Sequence, residues 1–299
     1  VSKVAVVCHD AGGSEIISSW IMKNLNNYSF YLQGPAKKIF KDKINATSEK
    51  SLNSVISNCD WLLCGTSWQS ELEKKAIQIA KNSNIKSISY IDHWVNYEER
   101  FIYNDNILLP DEIWVADKEA LEIATKIFLN TEIKLIENEY LKSIQKEVEK
   151  IDLPKYSKKV ILYVCEPIAE HAQMQCGNSL AWGYDEHTAL KYFLDNFEFI
   201  DRNIEKIILR PHPSEKHDKY DWAINYCSIP IHISPKENIL KEIKESLFVV
   251  GCESMAMVIG LISGKRVVSC IPPNGRECML PHKNISKLKN LINSRSYIE

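Results

Sequence analysis

The hydrophobic pattern of the chain alternates between short apolar runs and longer amphipathic segments. The short runs are rich in Val, Ile, Leu and Cys and stop at Gly, Pro or polar residues, which is typical of buried strands. They predict ten strands, at residues 4–8, 30–32, 61–64, 86–91, 112–115, 160–164, 206–209, 231–234, 247–250 and 267–270.

The segments between these runs carry apolar residues at helical spacing. The first helix follows residue 15 and has four apolar residues on one face, Ile16, Ile17, Trp20 and Ile21. Residues 169–183 have weak periodicity and are predicted to form a long loop. Strands separated by helix-length segments predict an α/β fold with parallel, doubly wound sheets. Further helices are predicted at residues 49–57, 69–81, 118–128, 185–197, 220–226, 239–244, 254–264 and 283–295.

A polar, proline-containing stretch at residues 147–159 divides the chain near its middle. A second series of strands and helices begins after it. Because 299 residues suffice for two α/β domains of ordinary size, we predict one domain at residues 1–152 and another at residues 153–299. The expected architecture is two Rossmann-like, doubly wound domains that face a cleft.

The composition is that of a globular protein, with 45% hydrophobic and 25% charged residues. The net charge of -2 gives no reason to expect nucleic-acid binding. Nine scattered cysteines without a CxxC pair support neither a zinc site nor a disulfide framework, and they favour a reducing compartment.

The sequence shows no signal-peptide pattern and no run approaching the ~18 apolar residues of a transmembrane helix. We therefore expect a cytoplasmic protein. The mildly basic helix predicted at residues 283–295 could bind anionic lipid, which would place the protein peripherally at the inner membrane, although the pattern favours a packed terminal helix.

The loop after the strand at residues 206–209 is the most constrained in the second half. Two prolines, Pro211 and Pro213, bracket His212 and hold it on a stiff, non-helical turn beside Arg210. Ligands of open α/β sheets bind beyond the carboxyl ends of the strands, and an imidazole and a guanidinium there suit a phosphate. The alternative is a strand-ending turn with a solvated histidine.

Three further loops of the second half follow strands and are expected on the same rim. Glu166 follows the strand at residues 160–164, and Glu237 and Glu253 follow two later strands. Glu237 or Glu253 could accept both hydroxyls of a ribose. Ser254 begins a helix whose N-terminal N–H groups would form a phosphate seat.

The first strand of the chain ends in a glycine-containing turn, residues 9–15. It lacks the G-x-G-x-x-G fingerprint of dinucleotide-binding proteins. Gly12 and Gly13 would let a ligand approach the backbone, and Ser14 would cap the following helix. Asp10 is a candidate carboxylate in the same turn. The alternative is a tight turn without a ligand.

The loop after the strand at residues 86–91 combines aromatic and charged residues, which is typical of binding loops. Asp92 comes first, where the strand holds it most rigidly. Four more candidates for substrate binding follow it, namely His93, Trp94, Tyr97 and Arg100. The alternative is that the aromatic residues are core anchors and the charges are solvated.

In its order of elements the chain resembles the GT-B glycosyltransferases. Three motifs resemble more narrowly the bacterial sialyltransferases and the Kdo and nonulosonate transferases of capsule and lipopolysaccharide assembly. An acidic motif after an N-terminal-domain strand corresponds to residues 92–94, although His93 and Trp94 replace its second acid and glycine. The HP motif corresponds to His212 and Pro213, and the serine motif to residues 253–254.

This resemblance implies a CMP-activated 2-keto sugar acid as donor and an oligosaccharide or glycolipid as acceptor. The first domain would then bind the acceptor and the second the nucleotide. It also implies that His212 supports the leaving phosphate, as an imidazolium, and that Glu237 binds the cytidine ribose. Asp92 would be the general base of an inverting reaction, or a nucleophile if the reaction is retaining, with Asp10 as the other candidate.

No DxD motif stands in a suitable loop, so we expect catalysis without a metal and without any cofactor besides the donor substrate. The main alternative is a UDP-sugar hydrolase or hydrolysing 2-epimerase of the same architecture, in which residues 9–13 activate water. Two others are transfer of a polyol phosphate from a CDP-linked donor and a nucleotide-sugar sensor without turnover.

Overall fold

The computed structural model describes residues 1–67, 70–152 and 159–296. The chain divides into two compact units, Val1–Lys142 and Ser143–Glu299. Part of the predicted linker, residues 153–158, lies outside the described residues. The boundary predicted between residues 152 and 153 stays a prediction.

The first unit contains a six-stranded parallel sheet in the order β2-β1-β3-β4-β7-β8. A two-residue antiparallel pair, β5 with β6, stands apart from it. The strands are β1 Lys3–Cys8, β2 Asn27–Leu32, β3 Trp61–Cys64, β4 Lys86–Tyr90, β5 Ile102–Tyr103, β6 Asn106–Ile107, β7 Glu112–Val115 and β8 Glu132–Leu135. The helices are α1 Ala11–Ile21, α2 Ala36–Ile44, α3 Leu52–Ser57, α4 Leu72–Asn82, α5 Lys118–Ile127 and α6 Glu139–Lys150.

Helices cover the sheet of the first unit, so its central strands are apolar on both faces, as expected for a parallel sheet. Every residue of β1 after Lys3 is buried. Three tryptophans, Trp20, Trp61 and Trp114, pack together with ring centroids 5.0–6.3 Å apart. This aromatic cluster fixes α1 against the sheet and so holds the start of α1 beyond β1.

The second unit contains another six-stranded parallel sheet, in the order β11-β10-β9-β12-β13-β14. Its strands are β9 Val160–Val164, β10 Lys206–Arg210, β11 Ile231–Ile233, β12 Phe248–Gly251, β13 Arg266–Ser269 and β14 Ile285–Lys287. Its helices are α7 Ile168–Cys176, α8 Glu186–Asn196, α9 Ile239–Glu245, α10 Met255–Ile262 and α11 Leu288–Ser296.

All ten predicted strands are present, which confirms the parallel α/β fold. Two strands of the six-stranded sheets, β8 and β14, and three helices, α2, α6 and α7, were not predicted from the sequence. The helix predicted at residues 69–81 begins at Leu72 in the structure, and Gln69 lies outside the described residues.

Three predictions for the second unit are wrong. Residues 169–183 do not form a long loop, because α7 occupies their first half and ends at Gly177, which has a φ of +71°. The helix predicted at residues 220–226 is instead a 3-10 helix, His217–Ala223. The segment predicted as one helix from residue 283 begins with β14, and only α11 is helical.

Each sheet reverses its strand order at one point, between β1 and β3 in the first unit and between β9 and β12 in the second. Loops on the two sides of such a point diverge and leave a crevice beyond the carboxyl ends of the strands. The candidate residues of each unit lie at these ends. In the described part of the chain, no helix is both long and apolar enough to cross a membrane.

Candidate functional site

The end of β1 carries a histidine–carboxylate pair. Asp10 is the N-cap residue of α1, but its side chain makes no capping hydrogen bond. Instead, Asp10 Oδ1 lies 2.6 Å from His9 Nδ1. A carboxylate only accepts hydrogen bonds, so His9 Nδ1 donates and the lone pair of the neutral ring lies on Nε2. The predicted cap is wrong, because the Ser14 hydroxyl donates to the Asp10 carbonyl oxygen over 2.6 Å.

Gly12 and Gly13 lie in the first turn of α1 rather than in a turn before it. A Cβ on Gly12 would stand 1.9 Å from Asp92 Oδ2, and one on Gly13 would stand 3.3 Å from the Cα of Gly65. The two glycines therefore let the loops after β4 and β3 approach α1 closely. A contact between these glycines and a ligand stays a prediction.

Asp92 follows β4 and forms a largely buried ion pair with Arg100. Arg100 Nη1 donates to Asp92 Oδ1 over 2.8 Å, and the exposed fractions of the two side chains are 6% and 13%. The same nitrogen donates to the carbonyl oxygen and the hydroxyl of Thr66, over 2.9 and 2.8 Å. Arg100 thus ties the loop after β4 to the loop after β3, and these two charges pair with each other rather than with solvent alone.

The aromatic residues of this loop lie in the core. Trp94 is buried, and its Nε1 donates to both carboxylate oxygens of Asp117, which caps α5. Tyr97 is also buried, and its ring stacks on Phe128. The ring of His93, a half-buried residue, packs edge-on against Trp94. Burial makes Trp94 and Tyr97 anchors of the loop, and a direct contact of His93, Trp94, Tyr97 or Arg100 with a substrate stays a prediction.

A buried acid that the sequence analysis missed, Glu73, lies beside the end of β1. It belongs to the first turn of α4, is 2% exposed, and accepts a hydrogen bond from the His9 N–H over 2.7 Å through Oε1. Its Oε2 is buried without a hydrogen-bond partner among the described residues. Burial, reinforced by Asp10, raises the pKa of Glu73 to about 7. Nothing in the local pattern distinguishes Glu73 from Glu71, the other acid of the helix predicted at residues 69–81.

In the second unit, His212 follows β10 as predicted, and hydrogen bonds fix its ring. Its Nδ1 lies 2.7 Å from the Ser214 hydroxyl and accepts from the Ser214 N–H at 3.3 Å. The proton of the neutral ring is therefore on Nε2. Burial lowers the pKa of His212 below its usual value, with Glu215 opposing the shift. This direction leaves the His212 ring neutral at pH 7, with Nε2–H as a donor, and the imidazolium expected during the reaction stays a prediction.

Glu215, the last residue of the R-P-H-P-S-E stretch, supports the loop of His212. Its Oε2 accepts from the His212 N–H over 2.9 Å, and its Oε1 accepts from the Tyr220 hydroxyl and from Lys219 Nζ, over 2.7 and 2.8 Å. Lys219 also pairs with Glu186. The sequence alone did not predict this network, because Glu215 binds side chains four and five positions further along the chain.

Arg210 is paired within the unit. Its Nη1 forms an ion pair with Glu242 at 2.7 Å, and its Nη2 donates to the Lys236 carbonyl oxygen over 3.2 Å. The side chain of Lys236 in turn donates to the carbonyl oxygens of His212 and Glu215, over 2.9 and 3.0 Å. Lys236, which the sequence analysis did not select, therefore brings a positive charge to the loop of His212. Phosphate binding by Arg210 stays a prediction.

The side chain of Glu166 is hydrogen-bonded to the backbone N–H groups that precede α10. Its Oε1 accepts from the N–H groups of Cys252 and Glu253, over 2.9 and 3.0 Å. Burial, reinforced by the charge of Glu253, raises the pKa of Glu166 to about 7. Ser254 is the N-cap residue of α10, as predicted, and its hydroxyl accepts from the Ala256 N–H over 3.2 Å. Part of the predicted phosphate seat is thus filled by the protein's own carboxyl group.

The two candidates for ribose binding differ in their surroundings. Glu253 forms an ion pair with Arg276, and its Oε2 accepts from the Met279 N–H over 3.1 Å. The guanidinium of Arg276 lies over the Trp182 ring, 3.7 Å from its centroid. Glu237 is exposed in the loop between β11 and α9. Of the two, Glu237 is open to a ligand without breaking an ion pair.

Among the described residues, no group of three or more His, Cys, Asp or Glu side chains is arranged to hold a metal ion. Metal-independent catalysis stays a prediction.

No protein-family model and no curated protein matches the sequence. Solved structures do match over nearly the whole chain. The UDP-GlcNAc 2-epimerase from Methanocaldococcus jannaschii has a TM-score of 0.59 at 11% identity and covers 98% of this chain and 92% of its own. S. aureus MnaA, solved with UDP, has a TM-score of 0.58 at 9% identity, with coverages of 100% and 88%.

The glycosyltransferase of kitacinnamycin has a TM-score of 0.52 at 12% identity, and covers 99% of this chain and 84% of its own. Identities this low show the fold and nothing finer. The chain has the two-domain GT-B fold. The prediction of this fold from the order of elements is therefore confirmed. The narrower resemblance to CMP-sugar transferases stays a prediction.

Proposed function

We propose that the protein is a glycosyltransferase that moves a 2-keto sugar acid from a CMP-activated donor to an oligosaccharide or glycolipid acceptor. The observation that carries this proposal is the fixed carboxylate of Asp92. Arg100 holds Asp92 Oδ1, and Oδ2 lies over Gly12 at the start of α1. A carboxylate held in one orientation at the end of a strand suits a general base.

In this proposal the bond between the anomeric carbon and the CMP phosphate oxygen breaks, and a bond forms between that carbon and an acceptor hydroxyl. Asp92 takes the proton of that hydroxyl. His212 donates through Nε2–H to the leaving phosphate, and the charge that gathers there favours the protonated ring. Lys236 adds positive charge beside the same loop. Glu237 would bind the ribose.

The test is transfer from CMP-linked keto acids to glycan acceptors, with product detection by mass spectrometry. Asp92→Asn should lose stability but still fold, because its amide oxygen can accept from Arg100 Nη1, and it should lose turnover by roughly 100-fold or more. Asp105→Asn, at an exposed position of the same unit, is the matched control and should be unaffected. Full activity of Asp92→Asn would reject Asp92 as the base, and absence of transfer from every CMP donor would reject the proposal.

A second candidate function, a UDP-sugar hydrolase or hydrolysing 2-epimerase, is favoured by the pair formed by His9 and Asp10. With Nδ1 bound to the carboxylate at 2.6 Å, the His9 ring presents Nε2 as a base that could activate water. Glu73, with a pKa of about 7, lies next to this pair and could exchange a proton near neutral pH. The matches to the UDP-GlcNAc 2-epimerase and to MnaA with UDP support this alternative as well.

The two candidates separate in an assay without acceptor. Rapid release of UDP from UDP-sugars, lost in His9→Gln but not in His232→Gln, would establish the hydrolase or epimerase. His232 is an exposed histidine of β11 and serves as the control. Turnover of CMP-linked donors only, and only with an acceptor, would establish the transferase.

A further inference from the structure

A second histidine, His171, lies beside the loop of His212. The two ring centroids are 6.4 Å apart, and the ring planes are nearly perpendicular, at 81°. His171 is an exposed residue of α7, whereas His212 is half-buried after β10. His171 was not among the residues selected from the sequence.

The fold explains why these rings meet. β9 and β10 are parallel neighbours whose last residues, Val164 and Arg210, are paired, so the segments that follow them leave the sheet side by side. α7 begins soon after β9, with Ile168 buried. Glu186 Oε2 accepts from the Ala169 N–H over 2.9 Å and so holds the first turn of α7.

The charged groups that face His212 come from several elements. Besides His171 they are Glu215, Lys236 and Glu170. Glu215 is engaged by the His212 N–H, Tyr220 and Lys219, and Lys236 donates to the His212 carbonyl oxygen. Two imidazoles and an ammonium group therefore meet at the carboxyl ends of β9 and β10.

We propose that His171 is a second phosphate-binding residue, and that His171 and His212 together bind the oxygens of one nucleotide phosphate group. This inference rests on the proposed function, because it takes the ligand to be the nucleotide of the donor. Each imidazole can donate a hydrogen bond to a phosphate oxygen, and a phosphate dianion favours the protonated form of both rings. Binding would then take up protons from the solvent at both histidines.

The experiment is calorimetric titration of CMP, and separately of UDP, into four proteins between about pH 6 and pH 8. These are the wild type, His171→Gln, His212→Gln and the control His232→Gln. Proton uptake at two sites would make the affinity of the wild type fall by up to roughly 100-fold per pH unit at the alkaline end, and uptake at one site by up to roughly tenfold. His171→Gln should weaken binding by roughly tenfold or more near pH 6 and follow the shallower dependence.

The possible results separate the two proposals. If the wild type and His171→Gln bind CMP equally at every pH while His212→Gln loses binding, the inference about His171 is overturned and the proposed function stands. If the wild type binds UDP in place of CMP and His171→Gln loses that binding, the phosphate role of His171 holds and the CMP donor is rejected. If the wild type binds neither nucleotide, both proposals fail.

Discussion

Arg100 Nη1 donates to Asp92 Oδ1 over 2.8 Å, and this largely buried contact orients the carboxylate that we propose as the base. Removing one partner of a buried ion pair leaves an uncompensated charge and costs about 3–5 kcal/mol. We therefore expect Arg100→Gln to lower the free energy of unfolding by about that amount, measured by urea denaturation. In the double variant, Arg100→Gln with Asp92→Asn, the loss of stability should be smaller than the sum of the losses in the two single variants. Strictly additive losses would show that the two residues are not coupled.

Gly12→Ala tests the close approach of Asp92 to α1. The added Cβ would stand 1.9 Å from Asp92 Oδ2, so the carboxylate must move. A displacement of about an ångström at a catalytic group can cost roughly 100-fold in rate. We expect Gly12→Ala to lose turnover by about that factor, measured in the transferase assay. The stability cost of Gly12→Ala should shrink in an Asp92→Ala background. An equal cost in both backgrounds would mean that the strain lies elsewhere in α1.

Glu73 should make stability depend on pH. Its pKa is about 7 in the folded protein, against a usual value of 4.5, so the folded state binds more protons between these values. The contribution of Glu73 to the free energy of unfolding should therefore be largest below about pH 4.5, fall as the pH rises to about 7, and then level off. Glu73→Gln should remove up to about 3 kcal/mol of that decline.

The measurement for Glu73 is urea denaturation at several pH values, with Glu98→Gln as the control at an exposed acid of the same unit. Glu166, whose pKa is also about 7, contributes a decline of the same sign and will remain in Glu73→Gln. A Glu73→Gln profile parallel to that of the wild type would show that the pKa of Glu73 is the same in the folded and unfolded protein.

Arg210→Lys separates a supporting role of Arg210 from a phosphate contact. A lysine could still reach Glu242, but it could not also donate to the Lys236 carbonyl oxygen in the same geometry. If Arg210 only supports the loop after β11 and does not contact the nucleotide, the variant should lose about 1 kcal/mol of stability. Its affinity for CMP should then stay within about threefold of the wild type. A loss of affinity as large as that of His212→Gln would establish a direct contact with phosphate. Arg202→Lys, at an exposed position, is the control.

Much of the fold could be predicted because short segments of the sequence determine its strands. The apolar runs at β1 and β9 are buried along nearly their whole length, and such runs signal strands of a parallel sheet wherever they occur. The stiff loop of His212 could also be predicted from neighbouring residues, because two prolines flank the histidine. The missed strands β8 and β14 are short and mixed in polarity, with only one buried residue between them.

The candidate site was harder to predict because its contacts join distant parts of the chain. Glu73 binds the backbone of His9 across 64 positions, and Glu166 binds that of Cys252 across 86. α7 did have local signals, Pro167 before it and Gly177 after it, which are typical helix boundaries. Its weak hydrophobic periodicity favoured a loop instead, and the contact between His171 and His212 joins residues 41 positions apart.

The parallel pairing of both sheets has a consequence for how the protein forms. Among the described strands of these two sheets, none is joined to its neighbour by a tight turn: Lys3 pairs with Asn27, and Val160 pairs with Lys206. Each pairing closes a long loop before it gains any contact, so such sheets assemble slowly compared with hairpins. The loops that carry Asp92 and His212 take their places only after the strands around them have paired. Catalytic competence should therefore arrive late in folding, and a chain that is still emerging from the ribosome should bind no nucleotide until β10 has paired with β9.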